Sequence, residues 1–233
     1  MKTNKLHLQF FTLVFLLIYV ASGILRFHHD KLVEALQNFE QALPLARPQL
    51  KGILQLEMSR VQAILSHSAI DTTIALKTMD LAGKLVDCET RSADPYTNIL
   101  LDARVKGLDE EEYLLGRAIT FNALGRPQRA LEELDALERL DERKRRGKDQ
   151  TRHYAWLELV QAQTYLGMKE YYIATDKAMG AFLVLRDLDS LDNIAFVHSL
   201  YQTFCSSSYQ ESAEVKKLGK TLTKYYQAVL PPV

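Results

Sequence analysis

The residues best suited to chemistry in this sequence are a Gly-Lys-Thr triplet at 219–221, a His-His-Asp cluster at 28–30 and three glutamates at 110–112. A phosphate-binding loop that ends in Gly-Lys-Thr needs a second glycine five positions before Gly219, so that the backbone can wrap around the phosphates. Glu214 occupies that position, and the surrounding residues have the periodicity of a helix. The triplet is therefore not predicted to bind a nucleotide.

The histidine and carboxylate clusters also fall short of a catalytic or metal site. A zinc site needs three or four convergent ligands, whereas His28, His29 and Asp30 are adjacent in sequence and are expected in a surface turn. Consecutive glutamates fan around a helix start, where they favour the helix dipole and cannot face each other as an acid–base pair. No G-x-S-x-G, H-E-x-x-H or C-x-x-C motif occurs. The sequence therefore predicts a non-enzymatic protein without metal or other cofactor.

Composition narrows the function classes further. The chain has 29 basic and 29 acidic residues, so no net charge attracts nucleic acid or anionic lipid. A basic run within 142–149 has acids at both ends and is predicted to be a solvated loop. Only 10 glycines and 6 prolines occur in 233 residues, which favours helices over a β-rich fold. Cys88 and Cys205 are expected as small buried thiols, although a disulfide between them remains an alternative.

The stretch from Tyr113 to Leu140 predicts two amphipathic helices separated by a tight turn. Apolar residues recur at helical spacing in each half, and Asp109 precedes Glu112 in a capping-box-like start. Gly125 follows the last apolar residue of the first half, where helices commonly end in a left-handed residue. Pro127 then occupies a first helical position, which tolerates its missing N–H. A turn this short predicts an antiparallel helix hairpin.

This hairpin resembles a tetratricopeptide repeat (TPR). In that family a large, a small and an aromatic residue in helix A precede a turn glycine and a small–large–small series in helix B. The residues in those places are Leu114, Ala118, Phe121, Gly125, Ala130 and Leu134. Leu137 departs from the family, which usually has a small residue there. The resemblance implies helix pairs stacked into a superhelix, with a concave groove lined by the A helices.

Weaker versions of the helix-B pattern recur on both sides of the hairpin. The residues in the helix-B places are Ala35, Phe39 and Ala42, then Ala75, Met79 and Ala82, then Ala174, Ala178 and Ala181. Their separations exceed the roughly 34-residue period of the TPR family. We therefore predict an all-α fold of tandem antiparallel hairpins in a TPR-like superhelix over residues 29–230, with another solenoid, such as a HEAT-like stack, as the alternative.

Three longer segments resemble the C-terminal repeat tail of certain large bacterial transcriptional regulators: EEYLLGRAITFNALGRPQRALEELDAL, AWLELVQAQTYLGMKEYYIATDKA and NIAFVHSLYQTFCSSSYQESAEVKKLG. The resemblance spans residues 50 to 225. In those proteins the tail is a sensing or interaction module that follows a helix-turn-helix domain. Here an apolar segment stands in place of that domain, so direct DNA binding is not predicted.

Residues 1–28 form a separate predicted element. Leu6 to Leu25 carries no charge and, as a helix, would span the hydrocarbon core of a bilayer, about 30 Å. Lys2 and Lys5 precede it, which predicts a cytoplasmic N-terminus and an extracytoplasmic remainder. The small residues at 21–23 also offer a site for signal peptidase. The alternative is that this segment is the buried first helix of the repeat stack.

The TPR resemblance also implies which residues contact a partner, because the groove-facing positions of helix A lie between its core positions. Those positions are Leu115, Ile119 and Asn122 in the central repeat and Trp156, Leu159 and Gln163 in the next. The predicted function is a non-catalytic protein–protein interaction module, membrane-anchored or exported, which binds a protein or peptide in the groove. The alternative is a soluble cytoplasmic regulatory or sensor module, a regulator tail without its DNA-binding domain. The partner's identity and the oligomeric state are left open.

Overall fold

The computed structural model describes residues 31–46, 48–86, 108–144, 150–188 and 190–229. Across these ranges every regular element is helical and no strand occurs. A short 3-10 helix, Leu43–Leu45, follows the first α-helix. The α-helices are α1 (Leu32–Ala42), α2 (Pro48–Ile64), α3 (Ala69–Gly83), α4 (Glu110–Ala123), α5 (Pro127–Lys144), α6 (Gln150–Gly167), α7 (Tyr171–Asp187), α8 (Leu191–Cys205) and α9 (Ala213–Val229).

The predicted all-α class of paired helices is confirmed. The chain forms two compact units, Met1–Leu124 (unit 1) and Gly125–Val233 (unit 2), so the predicted repeat domain 29–230 contributes to both. Within each unit, helices that are neighbours in sequence pack against each other. Tandem hairpins produce this arrangement because a short connection brings consecutive amphipathic helices side by side. The superhelical path of the whole chain stays a prediction.

The core of unit 1 is built from the small–large–small positions seen in the sequence. Ala35, Phe39 and Ala42 of α1 are buried against Leu54, Met58 and Val61 of α2. Ala75, Met79 and Ala82 of α3 are also buried, and α3 packs most extensively on α2. The alanines let the helix axes approach closely, while Phe39 and Met79 fill the space between them.

Helix α4 packs on α2 through small and hydroxyl-bearing residues. A Cβ placed on Gly116 would overlap the methyl groups of Leu56, so the two helices approach here at a distance that only glycine allows. One turn later the Thr120 hydroxyl lies 3.3 Å from the Ser59 hydroxyl. Both hydroxyls also donate to carbonyl oxygens of their own helices, so these fully buried polar groups are satisfied.

The ends of α4 follow the predicted chemistry. The Asp109 side chain accepts a hydrogen bond from the backbone N–H of Glu112 at 2.8 Å, which satisfies one of the orphan donors of the first turn. Gly125 has φ +67°, the left-handed conformation that glycine adopts without a steric penalty. Helix α5 then begins at Pro127, as expected for a proline that has no N–H to lose.

Unit 2 has one continuous core between α6, α7, α8 and α9. The alanines at 155 and 162 of α6 face those at 174, 178 and 181 of α7, and all five are fully buried. Phe182, Ile194, Val197 and Phe204 fill the larger spaces toward α8. Helix α9 closes the unit, with the Tyr225 ring edge-on to Phe182 at 5.7 Å between centroids.

The turn between α6 and α7 departs from the TPR pattern in a specific way. Gly167 is the last residue of α6 and lies before the position at which the turn needs a left-handed residue. Lys169 takes the left-handed conformation instead, with φ 65°. A non-glycine residue in this region carries steric strain between its Cβ and the backbone. The hairpin geometry is therefore kept although the glycine is displaced.

Several sequence predictions concern residues outside the described ranges. The apolar segment Leu6 to Leu25 lies there, as do the His-His-Asp cluster at 28–30, a short helix expected around 99–105, and Cys88. Among the helices that are described, none combines the length and the apolar character needed to cross a bilayer. The membrane prediction rests on residues 6–25 and stays a prediction.

Candidate partner-binding site

The three predicted contact residues of unit 1 lie on one side of α4, but they differ in exposure. Leu115 is only 8% exposed, so it offers a partner little surface. Ile119 and Asn122 are half-buried and follow Leu115 at spacings of four and three residues, which places all three side chains along one face. In unit 1 the predicted surface therefore reduces to Ile119 and Asn122.

The corresponding residues of unit 2 lie on α6, and they differ in exposure still more. Leu159 is fully buried in the core with Ala174 and Ala178, so it has no surface to offer a partner. Close packing of α6 against α7 covers it. Trp156 is 40% exposed, and Gln163 is half-buried seven residues later on the same side of the helix.

An aromatic pair defines the most distinctive surface of unit 2. The Trp156 ring of α6 meets the Phe196 ring of α8 edge to face, with centroids 6.2 Å apart and planes inclined at 78°. The sequence prediction missed Phe196, although a signal was present. It lies off the buried stripe that Ile194 and Val197 begin, and an aromatic residue off the core stripe of a helix is a candidate surface contact.

Uncharged polar residues continue the two helix faces that carry this pair. Gln163 continues the face of α6, and Ser199 and Thr203 are exposed at spacings of three and seven residues from Phe196 on α8. We call Trp156, Gln163, Phe196, Ser199 and Thr203 the Trp156 surface. It offers two aromatic rings and several neutral hydrogen-bonding groups, which suits an apolar side chain presented on a polar backbone.

A partly buried carboxylate lies between α6 and α7. The Glu158 carboxylate rests directly over Gly180, where an added Cβ would collide with it, and Lys177 Nζ lies 3.8 Å from Glu158 Oε1. Burial raises the pKa of Glu158 above its ordinary value; Lys177 opposes this shift and Asp176 adds to it. The Glu158 carboxylate therefore packs between α6 and α7, with Gly180 leaving room for it and Lys177 beside it.

The raised pKa of Glu158 leads to a pH-dependent stability prediction. Because the folded state binds this proton more tightly than the unfolded state, stability falls as pH rises from the ordinary pKa through the raised one. Glu158→Gln keeps the shape and removes the charge, so we expect a higher midpoint of thermal unfolding at pH 7. The difference from wild type should disappear near pH 4, where glutamate is largely protonated in any state.

Thermal melts at both pH values, followed by circular dichroism, measure this effect. Glu132→Gln is the matched control, because that carboxylate is 61% exposed on α5 and pairs with Arg129 at the surface. It should change the midpoint little at either pH. An equal or lower midpoint for Glu158→Gln at pH 7 would show that the Lys177 interaction outweighs burial.

The other chemical candidates from the sequence do not form sites in the described residues. The triplet at 219–221 lies inside α9, so its backbone is helical and cannot wrap a phosphate, as predicted. Cys205 is half-buried at the end of α8, where its thiol lies beside the Tyr201 hydroxyl and raises the pKa of that tyrosine. Where side chains are described, no group of three or more His, Cys, Asp or Glu residues converges as a metal site would require.

Comparison with known proteins adds no family to this picture. No family model matches the chain, and no curated protein or solved structure shows significant similarity to it. The TPR and regulator-tail assignments therefore stay predictions. The class that the fold itself defines is an all-α protein of sequentially paired helices.

Proposed function

We propose that this chain is a non-catalytic, TPR-like protein-interaction module, which binds a protein or peptide partner at the Trp156 surface of unit 2. The observation that carries the proposal is that Trp156, the largest side chain of α6, stays 40% exposed while its ring is held against Phe196. Tryptophan is among the residues most enriched in binding hot spots. An exposed tryptophan that is already ordered loses little conformational entropy when a partner binds.

The chemistry of the Trp156 surface indicates the kind of partner. Two rings in an edge-to-face arrangement leave the face of one ring available to an apolar or proline side chain. The neutral side chains of Gln163, Ser199 and Thr203 can exchange hydrogen bonds with a peptide backbone. The five described side chains of the Trp156 surface are uncharged, which favours such a peptide over nucleic acid, whose binding depends on lysine and arginine.

The chain contains a single tryptophan, so the proposal can be tested at the residue itself. A library of random peptides displayed on phage is selected on the full chain and counter-selected on Trp156→Ala. Selected peptides are then synthesised and titrated while Trp156 emission is recorded. We expect peptides rich in aromatic, aliphatic or proline residues, a blue shift of the emission on binding, and at least about tenfold weaker binding to Phe196→Ala.

Tyr172→Ala is the matched control for these titrations, because Tyr172 is an aromatic residue 61% exposed on α7 and is not part of the Trp156 surface. It should bind the selected peptides as the wild type does. Peptides that bind wild type and Trp156→Ala equally, or that leave the emission unchanged, would contradict the proposed site.

The cellular setting of the module is proposed from the sequence. We infer that the apolar segment 6–25 anchors the module in a membrane or directs its export, with a cytoplasmic regulatory or sensor module as the alternative. Carbonate-washed membranes and protease protection of a C-terminally tagged chain distinguish the two. A tag that stays with membranes and is cut from outside supports the anchor, whereas a soluble and protected tag supports the cytoplasmic alternative.

A further inference from the structure

Helix α3 carries a second apolar row on the side opposite its core face. Ile70, Ile74 and Leu81 are 73%, 46% and 46% exposed, and Lys77 is exposed between them. These residues follow one another at spacings of four, three and four, which keeps them along one side of the helix. The spacing is that of the seam residues in a coiled coil. Helix α3 is therefore apolar on two faces, of which the described part of unit 1 covers one.

Helix α7 of unit 2 carries a row with the same spacing. Tyr172 and Leu183 are 61% and 42% exposed, Met179 is half-buried, and Asp176 is exposed. These residues again follow at four, three and four positions, opposite the buried alanines of α7. We call the two sets the α3 row (Ile70, Ile74, Lys77, Leu81) and the α7 row (Tyr172, Asp176, Met179, Leu183).

The two rows match in size and charge when the helices run antiparallel. In an antiparallel pair with this spacing, the first residue of one row meets the last of the other. The resulting layers are Ile70 with Leu183, Ile74 with Met179, Lys77 with Asp176, and Leu81 with Tyr172. Three layers are apolar on both sides, and the fourth joins a cation to an anion. No layer leaves a charge opposite an apolar side chain.

Pairings of each row with itself do not have this property. A parallel α3–α3 pair places Lys77 against Lys77, and a parallel α7–α7 pair places Asp176 against Asp176. An antiparallel α3–α3 pair places Lys77 against Ile74, which buries a charge without a partner. In the part of the chain that the structure describes, neither Lys77 nor Asp176 forms an ion pair, so both charges are available.

We propose that the occupant of the α3 row is the α7 row of a second copy of this chain, packed antiparallel with a Lys77–Asp176 ion pair at its centre. The contact joins different surfaces of the two copies, so it is heterologous and can extend to further copies or close into a ring. Two rows of two heptads cover less than the roughly 800 Å² per partner of a stable complex, so the association is weak and concentration-dependent.

Charge exchange tests this pairing in the full chain. Sedimentation velocity of the wild type from about 10 to about 500 µM should show a sedimentation coefficient that rises with concentration, because weak interfaces populate only in this range. Lys77→Glu and Asp176→Lys should each remove the rise, since each sets like charges against each other in the central layer. An equimolar mixture of the two variants should recover it, because the new carboxylate then meets the new amine.

Lys220→Glu, a charge reversal at an exposed position of α9, is the control and should sediment as the wild type does. Circular dichroism of each variant checks that the helices are intact, as expected for exposed substitutions. A wild type that stays monomeric throughout the range would overturn the proposal. The α3 and α7 rows would then bind a partner other than a second copy of this chain. If the single variants still associate, or if their mixture shows no rise in the sedimentation coefficient, the pairing of Lys77 with Asp176 would be wrong.

Discussion

Leu159→Ala is expected to lower the free energy of unfolding of unit 2 by about 3–5 kcal/mol, because it opens a cavity in a closely packed core. Leu159 is fully buried between α6 and α7. Trp156→Ala, three residues earlier on the same helix, removes partial burial and one edge-on ring contact, which together stabilise by about 1–2 kcal/mol. Urea denaturation followed by far-ultraviolet circular dichroism measures both changes.

This comparison tests whether Trp156 and Leu159, which the sequence assigned to one partner surface, have different roles. If Leu159 lined a partner site, its truncation would weaken peptide binding and leave stability nearly unchanged. The structure predicts the reverse, with binding lost at Trp156 and stability lost at Leu159. Leu183→Ala is the matched control for the leucine, because Leu183 is 42% exposed on α7. Its truncation should cost less than about 1 kcal/mol.

Gly116→Val is expected to destabilise unit 1 by about 3 kcal/mol, because it overpacks the contact between α4 and α2. An added Cβ would overlap the Leu56 side chain, whose Cγ lies 2.7 Å from that position. Leu56 is 3% exposed and is held by Ala82 and Leu108, so it has no solvent-facing space into which it can move. The branched valine also restricts the rotamers available in a helix.

A double-mutant cycle shows whether the Leu56 contact causes this loss. Leu56→Ala alone should cost about 2–5 kcal/mol through the cavity that it leaves. In the double variant the valine methyl groups occupy part of that cavity, so the total cost should be below the sum by about 1–3 kcal/mol. Ala69→Val, exposed at the start of α3, is the control for a branched residue and should change stability by about 0.5 kcal/mol or less. Additive costs would mean that Gly116 matters for another reason.

The sequence predicted the core faces well because a core face depends on local spacing. The helix-B alanines at 35, 75, 130 and 174 are all fully buried, and Asp109 and Gly125 end α4 as their residue types predict. A small residue at a helix-packing position and a left-handed glycine after a helix are properties of a few consecutive residues. They need no knowledge of what packs against the helix.

The exposure of the predicted contact residues could not be read from the sequence, because exposure depends on residues far along the chain. Trp156 and Leu159 are three residues apart on one helix, and both were assigned to the groove. Leu159 is buried because α7 packs over it, whereas Trp156 contacts Phe196 of α8 and stays partly exposed. Phe196 lies off the core stripe in the sequence, but its ring contact with Trp156 depends on the packing of α6 beside α8. Side chains at a boundary between core and surface are assigned by tertiary packing.

The sequence by itself determined that the described part of this chain is helical, where several of its helices fall, and which small residues face the cores. These features follow from periodicity, caps and turn residues, which depend on residues within about two helical turns of each other. The tertiary structure decided which apolar residues stay exposed, among them Trp156, the isoleucines and the leucine of the α3 row, and Tyr172 and Leu183 of the α7 row. The physical reason is that a helix presents several faces, and only the helices packed around it determine which of them water reaches.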